Sequence, residues 1–162
     1  MGEHSTRRGP RFRGLGRVGA VVGVSIVTAA VLTGTALASD HENEVEGTPC
    51  TASAVACVDL ASNKAWLIAD GEIARGPVSM SHGGQGKETP KGTFQVQWKD
   101  KDHKSAEFNN APMPYSVFFA PGGIAFHEGN PSNPSAGCVH LAHDDAVAFY
   151  DFLAVGDEVQ VH

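Results

Sequence analysis

From residue 57 onward, apolar and polar positions alternate in short runs separated by turn residues. Cys57-Val58-Asp59-Leu60-Ala61, Ala65 to Ala69 after Ser62-Asn63, and Ile73 to Met80 after Asp70-Gly71 predict strands joined by hairpins. Thr93 to Trp98 alternates strictly, the period of a strand with one buried face, here Phe94, Val96 and Trp98. Tyr115 to Ala120 and Ile124 to His127 read as strands broken by Pro121-Gly122-Gly123, and Asp157 to Val161 as the last one. Ser81 to Lys91 is rich in glycine, and Lys99 to Asn110 carries charge without a period, so both predict loops.

One segment changes period. Ala146, Val147, Phe149, Tyr150 and Leu153 form an apolar stripe at helical spacing, with Asp144 or Asp145 suited to the N-terminus and Gly156 as the stop. The fold class is therefore mainly β, with seven or eight strands and one helix near the C-terminus in a compact sandwich or barrel.

The first 38 residues follow neither pattern. Arg7, Arg8, Arg11, Arg13 and Arg17 precede a stretch from Val18 to Leu37 without a charged side chain, and Ala36-Leu37-Ala38 offers small residues at a cleavage position. This reads as a signal peptide over 1–38, cleaved after Ala38. The alternative is an uncleaved anchor, because about 20 apolar residues span a bilayer as a helix. Gly9-Pro10 lacks the apolar residue a twin-arginine signal needs after Arg7-Arg8, so a general secretory route to the cell envelope or beyond is expected. Residues 39–49 hold four acids and little apolar surface, the composition of a disordered spacer, which leaves 50–162 as the folded domain.

Charge narrows the partners. The chain has 12 Lys+Arg and 18 Asp+Glu; the leader takes five Arg and one Glu, which leaves the exported part 7 against 17. A surplus of acid excludes nucleic acid as an expected partner.

Three cysteines leave one unpaired. Cys50 and Cys57 are close enough in sequence for their Cα atoms to reach bridging distance, so a disulfide is expected there in an oxidising compartment. Cys138, between Gly137 and Val139-His140, is then either a small buried hydrophobe or a nucleophile. His127 favours the second reading. It ends the apolar strand Ile124-Ala125-Phe126 and opens a loop, Glu128 to Pro134, that returns to Cys138. An imidazole there accepts the thiol proton, and Gly137 lets the backbone turn so that the amides of Gly137 and Cys138 face an oxyanion. His140 is not read as the base. Cys138, His127, His140 and His143 also offer ligand types that zinc takes, without a complete standard spacing, and a non-catalytic wall-binding sandwich is the third alternative.

These residues resemble the L,D-transpeptidase catalytic domain (YkuD-type) of bacterial cell-wall enzymes. The resemblance runs from about Cys57 to His162 through Thr89-Pro90-Lys91-Gly92-Thr93-Phe94, Met113-Pro114-Tyr115, Ile124-Ala125-Phe126-His127, Ser135-Ala136-Gly137-Cys138-Val139-His140-Leu141 and Gly156 to Val161. Three features depart from the family pattern. Ala136 stands where the family usually has His, His140 stands where it usually has Arg or Asn, and the interval between His127 and Cys138 is short.

The resemblance implies a Cys138 thioester formed on the third residue of a peptidoglycan stem with release of D-Ala, and its transfer to an amine to give a 3→3 cross-link. Water as acceptor would make the protein an L,D-carboxypeptidase. It further implies that the Glu128 carbonyl orients His127, and that Tyr115, Met113, Phe126, Ser135 and His140 contact the substrate. No cofactor or resident metal is implied, and a monomer is expected.

Overall fold

The computed structural model describes residues 44–162. In chain order the strands are β1 (Ala56–Asp59), β2 (Lys64–Ala69), β3 (Glu72–Ser81), β4 (Gly92–Gln95), β5 (Trp98–Ser105), β6 (Ala111–Ala120), β7 (Ile124–Glu128), β8 (Val139–Leu141) and β9 (Glu158–Val161), with α1 (His143–Phe152) before the last. They form one nine-stranded sheet in the order β4-β9-β1-β2-β3-β8-β7-β6-β5. The β1–β9 and β7–β8 pairs are parallel and the rest antiparallel.

The connection between β4 and β5 explains how this sheet encloses a core. Only Val96 and Gln97 separate the two strands, yet β4 pairs with β9 at one edge of the sheet and β5 with β6 at the other. Val96 N–H donates to Asp157 O at 2.8 Å, and Gln97 N–H donates to Phe118 O at 2.7 Å. The two edges must therefore approach each other, and the sheet curls into a half-barrel. Leu67, Met80, Val96, Phe119, Phe126 and Leu141 fill it, and α1 lays Ala146 and Phe149 onto the same core.

A second apolar cluster lies at the domain entrance. Cys50 and Cys57 are disulfide-bonded with Cα atoms 5.9 Å apart, and Val45, Ala54, Trp66 and Ile68 pack around them. Val45 N–H donates to Cys50 O, and Glu44 bridges to Thr51. The expected disordered spacer is thus corrected over residues 44–49: the buried Val45 and these backbone bonds fold that stretch onto the domain. The expected leader over 1–38 and residues 39–43 lie outside the described residues.

Three further expectations change. The charged run from Lys99 onward is no loop but most of β5, which as an edge strand carries its charges toward water. The alternation through Trp98 breaks at the crossover, so Val96 is buried while Trp98 is 43% exposed. The helix stops at Phe152, where Leu153 turns extended and its N–H closes on Phe149 O, before Gly156 is reached.

Candidate active site

The parallel pair β7–β8 brings the sequence candidates together. Its register sets Phe126 beside Val139 and His127 beside His140, so Cys138, one residue before β8, shares a sheet face with His127 and His140. Cys138, His127, His140, Met113, Ser135 and Ala136 line one cavity of about 320 Å³. A second cavity of about 250 Å³ shares Phe108, Met113, Ala136 and Cys138 with the first and is further lined by Ile124, Glu107, His103 and Trp98. A larger cavity of about 490 Å³, lined by Lys64, Ser79 and His82, holds neither Cys138 nor His127.

The imidazole is set for one task. His127 is 6% exposed, and its Nδ1 lies 2.7 Å from Glu128 O. A carbonyl only accepts, so Nδ1 carries the proton and Nε2 carries the lone pair. Burial opposes the charged ring more than the Glu128 carbonyl favours it, and the pKa falls to about 4. Burial likewise pushes the Cys138 thiol above its ordinary value, only partly offset by the Ala125 amide. At neutral pH the pair rests as thiol and imidazole. Sγ lies 3.7 Å from Gly123 O, in the turn before β7.

The loop that presents the thiol is held by polar bonds. Ser135 Oγ accepts the Gly137 N–H at 3.0 Å and donates to Cys138 O. Thr89 Oγ1, buried at 3% exposure, donates to Gly137 O at 2.6 Å and accepts the Gly83 N–H at 3.0 Å. Ser135 N–H donates to His82 O at 2.9 Å, and Ser135 O accepts the Gly84 N–H at 3.2 Å. Gly137 has φ +124°, a conformation that side-chain-bearing residues rarely adopt, and a Cβ there would stand 2.5 Å from Ile124 Cδ1, which would have to shift. Thr89 is the positioning residue that spacing alone missed; its only signal was membership of the Thr-Pro-x-Gly piece, which reads as a mere turn.

Several assignments need correction. The Gly137 amide, expected to face an oxyanion, is taken by Ser135 Oγ in a local turn. The Cys138 amide has no hydrogen-bond partner among the described residues. Phe126 lines neither thiol cavity: its neighbour His127 faces the site, so strand alternation turns Phe126 into the core against Phe119 and Phe149 at 4.7 and 5.1 Å. Tyr115 also turns away, packing edge-on against His143 and Tyr150 of α1. Its φ of +56° breaks the alternation of β6, which a count of two from Met113 could not show.

His140 is partly buried and stands edge-on to His127, with ring centroids 4.8 Å apart. Burial lowers its pKa against the opposing pull of the Asn133 and Asn130 backbone, and its buried Nδ1 has no hydrogen-bond partner of good geometry among the described residues. The nearby carbonyls of Asn130 and Asn133 face Ser81 Oγ at 3.1 and 2.6 Å. A Cβ at Gly129 would stand 2.7 Å from the His140 ring, so this glycine lets the loop close over it. His143, offered as a zinc ligand, pairs instead with Glu128 Oε2 at 2.9 Å. Among the described residues no group of three or more His, Cys, Asp or Glu side chains could hold a metal ion.

Comparison with known proteins agrees with this geometry. The family profile of the L,D-transpeptidase catalytic domain, YkuD, matches residues 53–161. Among solved structures, an L,D-transpeptidase from Stackebrandtia nassauensis is 30% identical with a TM-score of 0.62, covering 66% of this chain and 54% of its own. An L,D-transpeptidase from Mycobacterium smegmatis is 25% identical with a TM-score of 0.61, covering 69% and 59%. L,D-transpeptidase 3 from Mycobacterium tuberculosis, solved with a faropenem-derived adduct, is 18% identical with a TM-score of 0.61, covering 68% and 60%, and supports the fold alone. The chain thus spans between half and two thirds of the length of these structures. No curated protein sequence matches it. With a profile match across most of its length and a mainly β half-barrel in which Cys138 and His127 line one cavity, this chain belongs to the L,D-transpeptidase catalytic domain family.

Proposed function

We propose that the protein is an exported cysteine acyltransferase that joins peptidoglycan stem peptides through 3→3 cross-links. The observation that carries this reading is the buried His127, its Nδ1 fixed on the Glu128 carbonyl, lining one cavity with the only unpaired cysteine of the chain. The disulfide between Cys50 and Cys57 supports export to an oxidising compartment.

Because both groups rest neutral, proton transfer accompanies attack. Cys138 Sγ bonds to the carbonyl carbon of the third, diamino residue as its proton passes to His127 Nε2. The Cys138 amide, having no other partner, stabilises the oxyanion. The bond to D-Ala then breaks, its nitrogen takes the proton from His127, and a thioester remains. An amine of a second stem attacks that thioester, gives its proton to His127, and expels the thiolate, which is reprotonated. Two cavities that share Cys138 in their lining suit a reaction with two peptide substrates.

Incubation of the protein with a purified disaccharide tetrapeptide, followed by mass spectrometry, tests this. The expected products are free D-Ala and a 3→3 dimer. Release of D-Ala without a dimer would mean water is the acceptor, and release of nothing would contradict the reading.

A further inference from the structure

Trp98 is exposed to 43% of its surface, which is unusual for the largest apolar side chain. It is also held rigidly. Its indole stacks on Phe118 at 3.8 Å with an interplanar angle of 5°, and His103 stands edge-on to both rings at 5.4 and 5.0 Å. His103 Nδ1 lies 3.2 Å from the Asp100 carboxylate, so this brace is itself fixed. With Phe118 covering one face of the indole, the exposed area belongs largely to the other. The ring therefore offers a flat, pre-oriented surface whose ordering cost is met in the fold.

We propose that this surface binds a hexosamine ring of the glycan strand that carries the peptide substrate, an inference that rests on the reading of the protein as a peptidoglycan enzyme. A pyranose presents axial C–H groups on one side and hydroxyl and acetamido groups around its edge. The first match the electron-rich indole face, and the second match Ser105, Glu107 and His103, which border the same cavity. That cavity runs from Trp98 to Cys138. Because Trp98 and Cys138 line this one cavity, a sugar on the first and a stem residue at the second can belong to one molecule. β5 is also the outer strand of the sheet, which lets a long polymer lie across this side without threading. Of the large apolar side chains exposed among the described residues, only Trp98 and Phe108 line the cavity, too little apolar surface for a stable dimer.

The chain has two tryptophans, and Trp66 is 5% exposed, so changes in red-shifted emission report on Trp98. The full chain with Cys138→Ala, titrated with N-acetylglucosamine tetrasaccharide, should show a saturable blue shift or quench. Calorimetry on the additional variant Trp98→Ala should show affinity lower by about tenfold or more, the size of an aromatic stacking contribution. An unchanged emission, equal affinity in the Trp98→Ala variant, or a shift that follows protein concentration rather than sugar would overturn the proposal. Acylation of the wild-type thiol by a carbapenem reports separately on the transferase reading. A protein that acylates but ignores the sugar defeats the platform alone, and one that binds sugar without acylating defeats the transferase alone.

Discussion

The disulfide end of the domain and the nucleophile loop are held by different kinds of force. Around Cys50 and Cys57 the fold rests on burial: Val45, Ala54, Trp66 and Ile68 exclude water together, and no single contact among them is decisive. From Ser135 to Cys138 the backbone is instead fixed by a few directional bonds, through Thr89 and Ser135, around a glycine at positive φ. Damage at the first end should cost stability in proportion to what is removed. Damage at the second should cost rate out of proportion to stability, since rate depends on where the thiol stands relative to its base.

The sharpest break in that contrast comes from His127→Ala. Acylation by a carbapenem should slow by about 10²–10⁴-fold, the usual contribution of a positioned base, with the fold retained. The wild-type pH profile refines the same point. His127 accepts a proton only in its neutral form, so acylation should be flat near neutrality and fall as pH drops through about 4. Alkylation by iodoacetamide should rise only above the ordinary thiol range, because burial raises the Cys138 pKa. A thiolate titrating near pH 5 would mean a resting ion pair and would contradict the neutral one.

Thr89→Val probes the loop without touching substrate. It leaves the Gly137 carbonyl and the Gly83 amide unpaired in a buried site, at about 1–3 kcal/mol each. Chemical denaturation should show that loss, and acylation of the folded fraction should slow at least about tenfold as the thiol shifts. If rate per folded molecule is unchanged, Thr89 supports the fold only.

The smallest effect on rate should come from the other end. Replacing Cys50 and Cys57 by Ala should lower stability by about 2–3 kcal/mol, as expected for a bridge that closes a short loop. Acylation per folded molecule should stay within about twofold, since distant sites act independently. A large loss of rate would show that the two regions are coupled.

How much of this was legible in the sequence follows the same division. The strand and helix periods marked most of the frame, because apolar burial leaves a repeating signature; the mainly β class with one helix is what the fold shows. The charged β5 escaped notice because an edge strand needs no buried face on its solvent side. In the site, the return loop between His127 and Cys138 was visible as a strand end followed by turn residues, and the structure sets both side chains in one cavity. Hidden were Tyr115, whose left-handed backbone reverses its side chain, and Phe126, whose direction follows once His127 is known to face the cavity. The capture of the Gly137 amide by Ser135 and of its carbonyl by Thr89 are three-dimensional meetings that no period encodes.

The central claim is that Cys138, served by His127, is an acyl-accepting nucleophile. Intact-mass measurement after exposure to a carbapenem tests it most directly, because acylation adds the whole antibiotic to one residue. The account predicts a single adduct that peptide mapping places on Cys138 and that is absent from Cys138→Ala. No adduct on the folded wild-type protein, or an equal adduct on Cys138→Ala, would contradict it.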